Sequence, residues 1–131
     1  MMRLQAHSPT PQHLFEEIAR QLFSQLMDPA AIGEALREKV AVEGESLEDL
    51  LRQWITTLLD LVRMQHMVFR TFKIDLKIDE KSPYSLKAEV IGELLDPQRH
   101  EFIQDPAWLK CTEVLIRKDQ KEYHAEILLN V

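Results

Sequence analysis

Cysteine is almost missing: Cys111 is the one thiol in 131 residues. A single cysteine excludes an internal disulfide framework and a Cys-rich zinc site, and it suits a reducing compartment. Glycine is equally scarce, with only Gly33, Gly44 and Gly92, so there is no Gly-rich phosphate loop. No apolar run approaches the ~18 residues of a membrane-spanning helix. The opening Met1-Met2-Arg3-Leu4-Gln5-Ala6-His7 is too short and too polar for a secretory signal. Basic clusters are absent too. Lys and Arg number 16 against 22 Asp and Glu, a net charge of −6. That balance argues against a protein that wraps nucleic acid by itself, because phosphate neutralisation needs a field of Lys and Arg. The expectation is a cytoplasmic, non-membrane protein without direct nucleic-acid binding.

What is present is the mix of an ordinary globular domain, 45% apolar and 29% charged, spread over residues 1–131 as one domain. Residues 2–7 read as a short strand with Met2, Leu4 and Ala6 on one face. Thr10 is a good N-cap and Pro11 suits the first helical position. From Leu14 to Met27 apolar residues recur at three- and four-residue steps, one face of an amphipathic helix that Asp28-Pro29 ends. Residues 35–43 alternate as a strand. Ser46 and Asp49 form a capping-box start for a second helix carrying Leu50, Leu51, Trp54, Ile55, Leu58, Leu59 and Val62.

Four strand patterns follow: 72–78, 84–90, 108–117 and 121–131. The first two turn at Lys81-Ser82-Pro83 and the last two at Lys118-Asp119-Gln120. Residues 93–106 are irregular. The fold class predicted is α+β: two amphipathic helices packed on a mostly antiparallel sheet.

Chemistry is sparse. His100 and Glu101, in the loop Asp96-Pro97-Gln98-Arg99-His100-Glu101, read either as an acid–base or metal-ligating pair or as an Asp-Pro turn with His and Arg fixing its backbone. His7, His13, His66 and His124 lack mutual metal-ligand spacing. Cys111 reads as a half-buried apolar residue, and Trp54 as core. Trp108, at the start of a strand, reads as partly exposed, with an interface anchor as the alternative. The scattered carboxylates, Glu93 among them, read as solvated faces, or as an acidic patch for a basic protein partner. No Ser-His-Asp, nucleophile-elbow or zinc motif is present, so the chain is expected not to be an enzyme.

Three stretches carry a resemblance. They are Val42-Glu43-Gly44-Glu45-Ser46-Leu47-Glu48-Asp49-Leu50-Leu51-Arg52-Gln53-Trp54-Ile55, then Ala88-Glu89-Val90-Ile91-Gly92-Glu93-Leu94-Leu95-Asp96-Pro97-Gln98-Arg99-His100-Glu101, and the closing Ala125-Glu126-Ile127-Leu128-Leu129-Asn130-Val131. In this order they resemble the archease family, the second matching its D-P-x-R-H-E loop. The resemblance implies an accessory factor that helps the tRNA-splicing RNA ligase undergo guanylylation and multiple turnover, with that ligase as protein partner. It also implies a functional loop at Asp96, Arg99, His100 and Glu101.

The family's calcium or other divalent cation falls, by position, near Asn130 and Val131. The family's H-T-A-D segment is absent, its aspartate falling at Met1, and the acid of the last strand is replaced by Asn130. A lysine after the R-H-E loop falls at Ala107, with Lys110 nearby. Two negative charges fewer leave a hard cation poorly held, so weak binding or none is expected. The N-terminal strand is expected to be truncated, leaving an open sheet edge that invites a homo-oligomer. The competing reading is a metal-independent protein-interaction or chaperone-like module that kept the fold.

Overall fold

Thr10 Oγ1 accepts from the His13 backbone N–H at 3.2 Å and Pro11 opens helix α1, Pro11–Leu26. Ser46 Oγ accepts from Asp49 N–H at 3.0 Å, and Asp49 Oδ2 accepts from Glu45 N–H at 3.0 Å, which caps α2, Leu47–Gln65. These caps satisfy helix N–H groups that have no intrahelical acceptor. The strands are β1 (Met2–Ser8), β2 (Leu36–Gly44), β3 (Met67–Lys77), β4 (Tyr84–Leu94), β5 (Lys110–Lys118) and β6 (Tyr123–Asn130). A single 3-10 turn, Pro29–Ala31, follows α1. This computed structural model describes residues 1–78 and 84–130. The turn expected at Lys81-Ser82-Pro83 lies outside the described residues.

The class is α+β, but the strands form two sheets where one was expected. Both are antiparallel, with orders β1-β6-β5 and β2-β4-β3. The β3-β4 and β5-β6 hairpins each take a third strand from the N-terminal half, and the helices stand in the seams between the sheets. Helix α1 packs on β1 and β3, and α2 on β2 and β5. Apolar alternation says which face of a strand is buried and not which strand lies beside it, so the split into two sheets is invisible to periodicity.

The seam helices do more than cover the core. A strand at a sheet edge leaves a row of unpaired backbone groups. Gln21 of α1 takes both backbone groups of Gln5, its Oε1 accepting from Gln5 N–H at 2.9 Å and its Nε2 donating to Gln5 O. Gln25 donates to Arg3 O at 3.0 Å, and on the other side Gln12 accepts from Leu76 N–H at 3.3 Å. Helix α2 serves β5 in the same way. Glu48 accepts from Ile116 N–H at 3.1 Å and Arg52 donates to Cys111 O at 3.0 Å. The open edge expected at the N-terminal strand is therefore occupied at Arg3 and Gln5 by glutamine side chains of α1.

Between the sheets the helices bury Leu14, Phe15, Ile18, Leu22, Leu50, Leu51, Ile55 and Leu58 completely. Trp54 is also fully buried, and its Nε1 donates to Phe15 O at 3.2 Å. Strand β3 begins at Met67, earlier than the alternation from Phe72 indicated. Its register shifts between Phe69 and Thr71, and that bulge puts both Phe69 and Phe72 on the core side. Gly92 lies opposite Phe69, where an added Cβ would come within 1.8 Å of Val68 O. Strand β5 begins at Lys110, so Trp108 stands before the strand, exposed.

Two substitutions test this arrangement. Gln21→Ala removes two hydrogen bonds to the β1 backbone and is expected to cost about 1–2 kcal/mol in a denaturant titration. Gly92→Ala forces backbone apart in the middle of a sheet and is expected to cost more than about 3 kcal/mol. Equal costs would mean that the β3 bulge yields easily.

Candidate functional site

Strand β4 turns Leu86, Ala88 and Val90 to the core and Lys87 to solvent. By that alternation Ile91 and Glu93 belong to the outer face, yet both are buried. Two segments fold onto Glu93 at this end of the sheet: the stretch 31–33 after α1, and the loop after β4.

The loop is organised by Asp96. Its backbone O accepts from Arg99 N–H at 3.0 Å and His100 N–H at 2.7 Å, and its Oδ1 accepts from Gln98 N–H at 3.0 Å. This Asp-Pro turn swings the His100 ring back under the chain, where the Asp96 N–H donates to Nδ1 at 2.8 Å. An acceptor nitrogen carries no proton, so the ring proton sits on Nε2. That nitrogen lies 2.7 Å from Glu93 Oε1 and 3.1 Å from Ala31 O. The same Glu93 oxygen accepts from the Gly33 backbone N–H at 2.8 Å and from Arg99 Nη2.

One buried carboxylate thus ties together the segment before β2, the end of β4 and the loop beyond it. The Gly33 N–H, and with it His100 and Arg99, holds the Glu93 carboxyl below the ordinary glutamate value, against the opposing effect of burial. Of the residues singled out from the sequence, the structure brings Asp96, Arg99 and His100 together. Glu101 stays outside the cluster, exposed. Glu93 was missed as a site residue. The available signal was Ile91, an apolar residue on the strand's wet phase, which shows that something covers that end.

The cluster offers little for chemistry. The His100 side chain is fully buried and both its ring nitrogens are engaged, so it has no lone pair for a metal and no route to a substrate proton. Burial pushes the Cys111 thiol up, which makes it a poor nucleophile.

A serine–histidine–carboxylate row absent from the sequence motifs does assemble in space. Ser8 Oγ lies 3.0 Å from His13 Nδ1, and His13 Nε2 lies 3.5 Å from Glu17 Oε1. Ser8 is only 1% exposed, and its Oγ accepts from Thr10 N–H at 3.3 Å. A substrate carbonyl has no approach to it, so the row serves as packing around the start of α1 rather than as an acyl-transfer site.

Asn130 is exposed and lies in register with Lys110 of β5. Val131 lies outside the described residues. Met1 is exposed, Ala107 lies in the loop, and the described residues include no group of three or more His, Cys, Asp or Glu side chains able to hold a metal. A hard divalent cation favours several oxygen ligands with carboxylates among them. Asn130 and its register partner Lys110 bring no carboxylate to the end of β6.

Fold and cluster together define a two-sheet, two-helix α+β protein whose main buried polar site is a cross-linking cluster. The Archease protein family (MTH1598/TM1083) matches residues 2–131. The chain belongs to the archease family. It is 25% identical over 130 residues to "Protein archease" of Methanosarcina barkeri, covering 99% of this chain and 89% of that protein. It is 34% identical over 98 residues to "Protein archease" of Pyrococcus abyssi, covering 75% of this chain and 68% of that one. The solution structure of Methanobacterium thermoautotrophicum protein 1598 superposes with a TM-score of 0.73 at 22% identity, covering 97% of this chain and 89% of that one, and so shares the fold.

The Glu93 cluster makes a pH prediction. A carboxyl whose folded pKa is depressed stabilises the fold fully above its unfolded value and loses that contribution as pH falls through the folded value. Glu93→Gln is expected to cost about 2–4 kcal/mol at neutral pH, since it leaves buried donors poorly matched. The gap to the parent should hold above pH 4.5 and close below it. Urea titrations of both proteins from pH 7 to pH 3 check this. A pH-independent gap would mean that the charge of Glu93 does not matter.

Proposed function

We propose that the protein is an archease-type accessory factor, not itself an enzyme, that assists an RNA-splicing ligase through guanylylation and repeated turnover. Family membership along residues 2–131 carries this reading. The chemistry of the site supports it. His100 is locked by its hydrogen bonds and Ser8 is buried, so the described residues that most resemble catalytic groups are structural. The −6 net charge favours action on a protein over direct contact with RNA. The chain would work in the cytoplasm. Among the described residues no helix is long and apolar enough to cross a membrane.

In this reading the terminal strand does not hold a tight cation, because Asn130 and its register partner Lys110 supply no carboxylate there. One observation favours the competing metal-independent interaction module, and it is the same mismatch. The two readings differ in the ligase assay.

Purified protein added in substoichiometric amount to the RNA-splicing ligase of the same genome, with RNA ends and GTP, is expected to raise the number of turnovers per ligase. Turnover unchanged at equimolar protein would favour the interaction module. Separately, millimolar calcium or manganese is expected to shift the melting midpoint by less than about 1 °C, since a ligand stabilises only as far as it binds the folded state. A rise of several degrees would restore the cation site.

A further inference from the structure

Residues 95–109, between β4 and β5, lie across the C-terminal ends of both helices. Leu95 N–H donates to His66 O at 2.7 Å, Ile103 N–H donates to Leu26 O at 2.7 Å, and Arg63 donates to Pro106 O at 3.4 Å and to Leu109 O. The Glu93–His100 cluster fixes the start of this loop. A loop held at so many points nevertheless shows two large apolar side chains to solvent: Trp108 is 77% exposed and Ile103 73%, while Phe102 packs partly against the core. Met64, at the end of α2, and Leu94, at the end of β4, are exposed at the same pole.

Two clefts flank the loop, and Phe102 lines both. One, of about 320 Å³, lies against Val62, His66 and Leu95, and the other, of about 470 Å³, against Met27, Ala31 and Ile103. The charges around them are one-sided. Asp28, Glu101 and Asp105 are exposed and make no ion pair among the described residues. Of the cations nearby, Arg63 pairs with Asp60 and Arg99 with Glu93 and Asp96, while Lys110 at the loop's end and Arg70, which donates to Ile32 O, are exposed; the carboxylates, with Asp60, Glu93 and Asp96 counted, still outnumber them. Asp105 and Arg63 line the first cleft and Asp28, Glu101 and Arg99 the second, so apolar and charged side chains alternate there, and exposed apolar anchors beside such mixed clefts suit a protein-binding surface. Surplus carboxylates select a basic partner and repel phosphate-bearing ones.

We propose that loop 95–109 is the docking surface for a protein segment that presents apolar side chains between lysines or arginines. Trp108 and Ile103 are its anchors, and Asp28, Glu101 and Asp105 set its charge preference. The inference rests on the accessory-factor reading, in which the segment belongs to the RNA-splicing ligase.

Isothermal titration of that purified ligase with the whole protein, at 50 mM and 300 mM salt, tests it. Binding by the parent is expected to weaken as salt rises. It should be accompanied by a blue shift in tryptophan emission, because Trp54 is already buried and Trp108 alone can lose water. Trp108→Ala and the double variant Glu101→Lys, Asp105→Lys should each bind at least tenfold more weakly. Both change exposed side chains, so melting midpoints within about 2 °C of the parent confirm folding. Variants that melt and bind like the parent overturn the docking surface and leave the accessory role intact. A parent that neither binds the ligase nor raises its turnover overturns the role itself, and the surface with it.

Discussion

A single oxygen of Glu93 receives the Gly33 N–H from one segment of chain and the His100 Nε2–H and an Arg99 N–H from another. Burying a carboxylate is costly unless its lone pairs are met. Here the donors meet them, and the requirement runs in both directions. The carboxylate needs the donors in place, and the donors come into place only when residues 31–33 and the Asp96 turn fold onto the end of β4. Closing the loop and burying the charge are therefore one event, and the loop's later half takes its course over the helix ends from that fixed start.

The sheets impose a second constraint. Two three-stranded sheets that share no strand have four edges. Each helix stands between an edge of one sheet and an edge of the other, and Gln12, Gln21, Gln25, Glu48 and Arg52 fill hydrogen bonds that a further strand would have made. The polar side of each helix is thus structural along its margins, while the centre of the opposite side packs the core around Trp54. Helix side chains thus meet backbone groups on the edges of β1, β3 and β5. The loop after β4 is anchored in turn by His66 O, Leu26 O and Arg63.

Much of this was legible in the sequence because it depends on local periodicity. The caps at Thr10 and Ser46, the apolar faces of both helices and the β3-β4 and β5-β6 pairings follow from spacing and turn residues. The α+β class follows from them, and the family from the resemblance of stretches 42–55, 88–101 and 125–131. What escaped depends on long-range contact. The division into two sheets rests on β1 meeting β6 and β2 meeting β4, which alternation does not encode. The early start of β3 was hidden because the bulge at Arg70 interrupts the period of two, so Val68 and Phe69 are adjacent and both buried. Glu93 looked like one more surface acid. Its partner Gly33 lies 60 positions away in the chain, and only the buried Ile91 beside it hinted at a cover. Asp96, Arg99 and His100 were found together because a turn brings them together locally, whereas Glu101, adjacent in sequence, points elsewhere.

The most direct test of this account is the protonation pattern of the His100 ring, read by long-range nitrogen–proton correlation in the labelled protein at neutral pH. The account predicts a proton on Nε2, slow to exchange because the side chain is buried against Glu93, and an unprotonated Nδ1 accepting from the Asp96 N–H. A proton on Nδ1, or a ring that averages rapidly with solvent, would mean that the cluster is not closed and that the loop it anchors is not held where described.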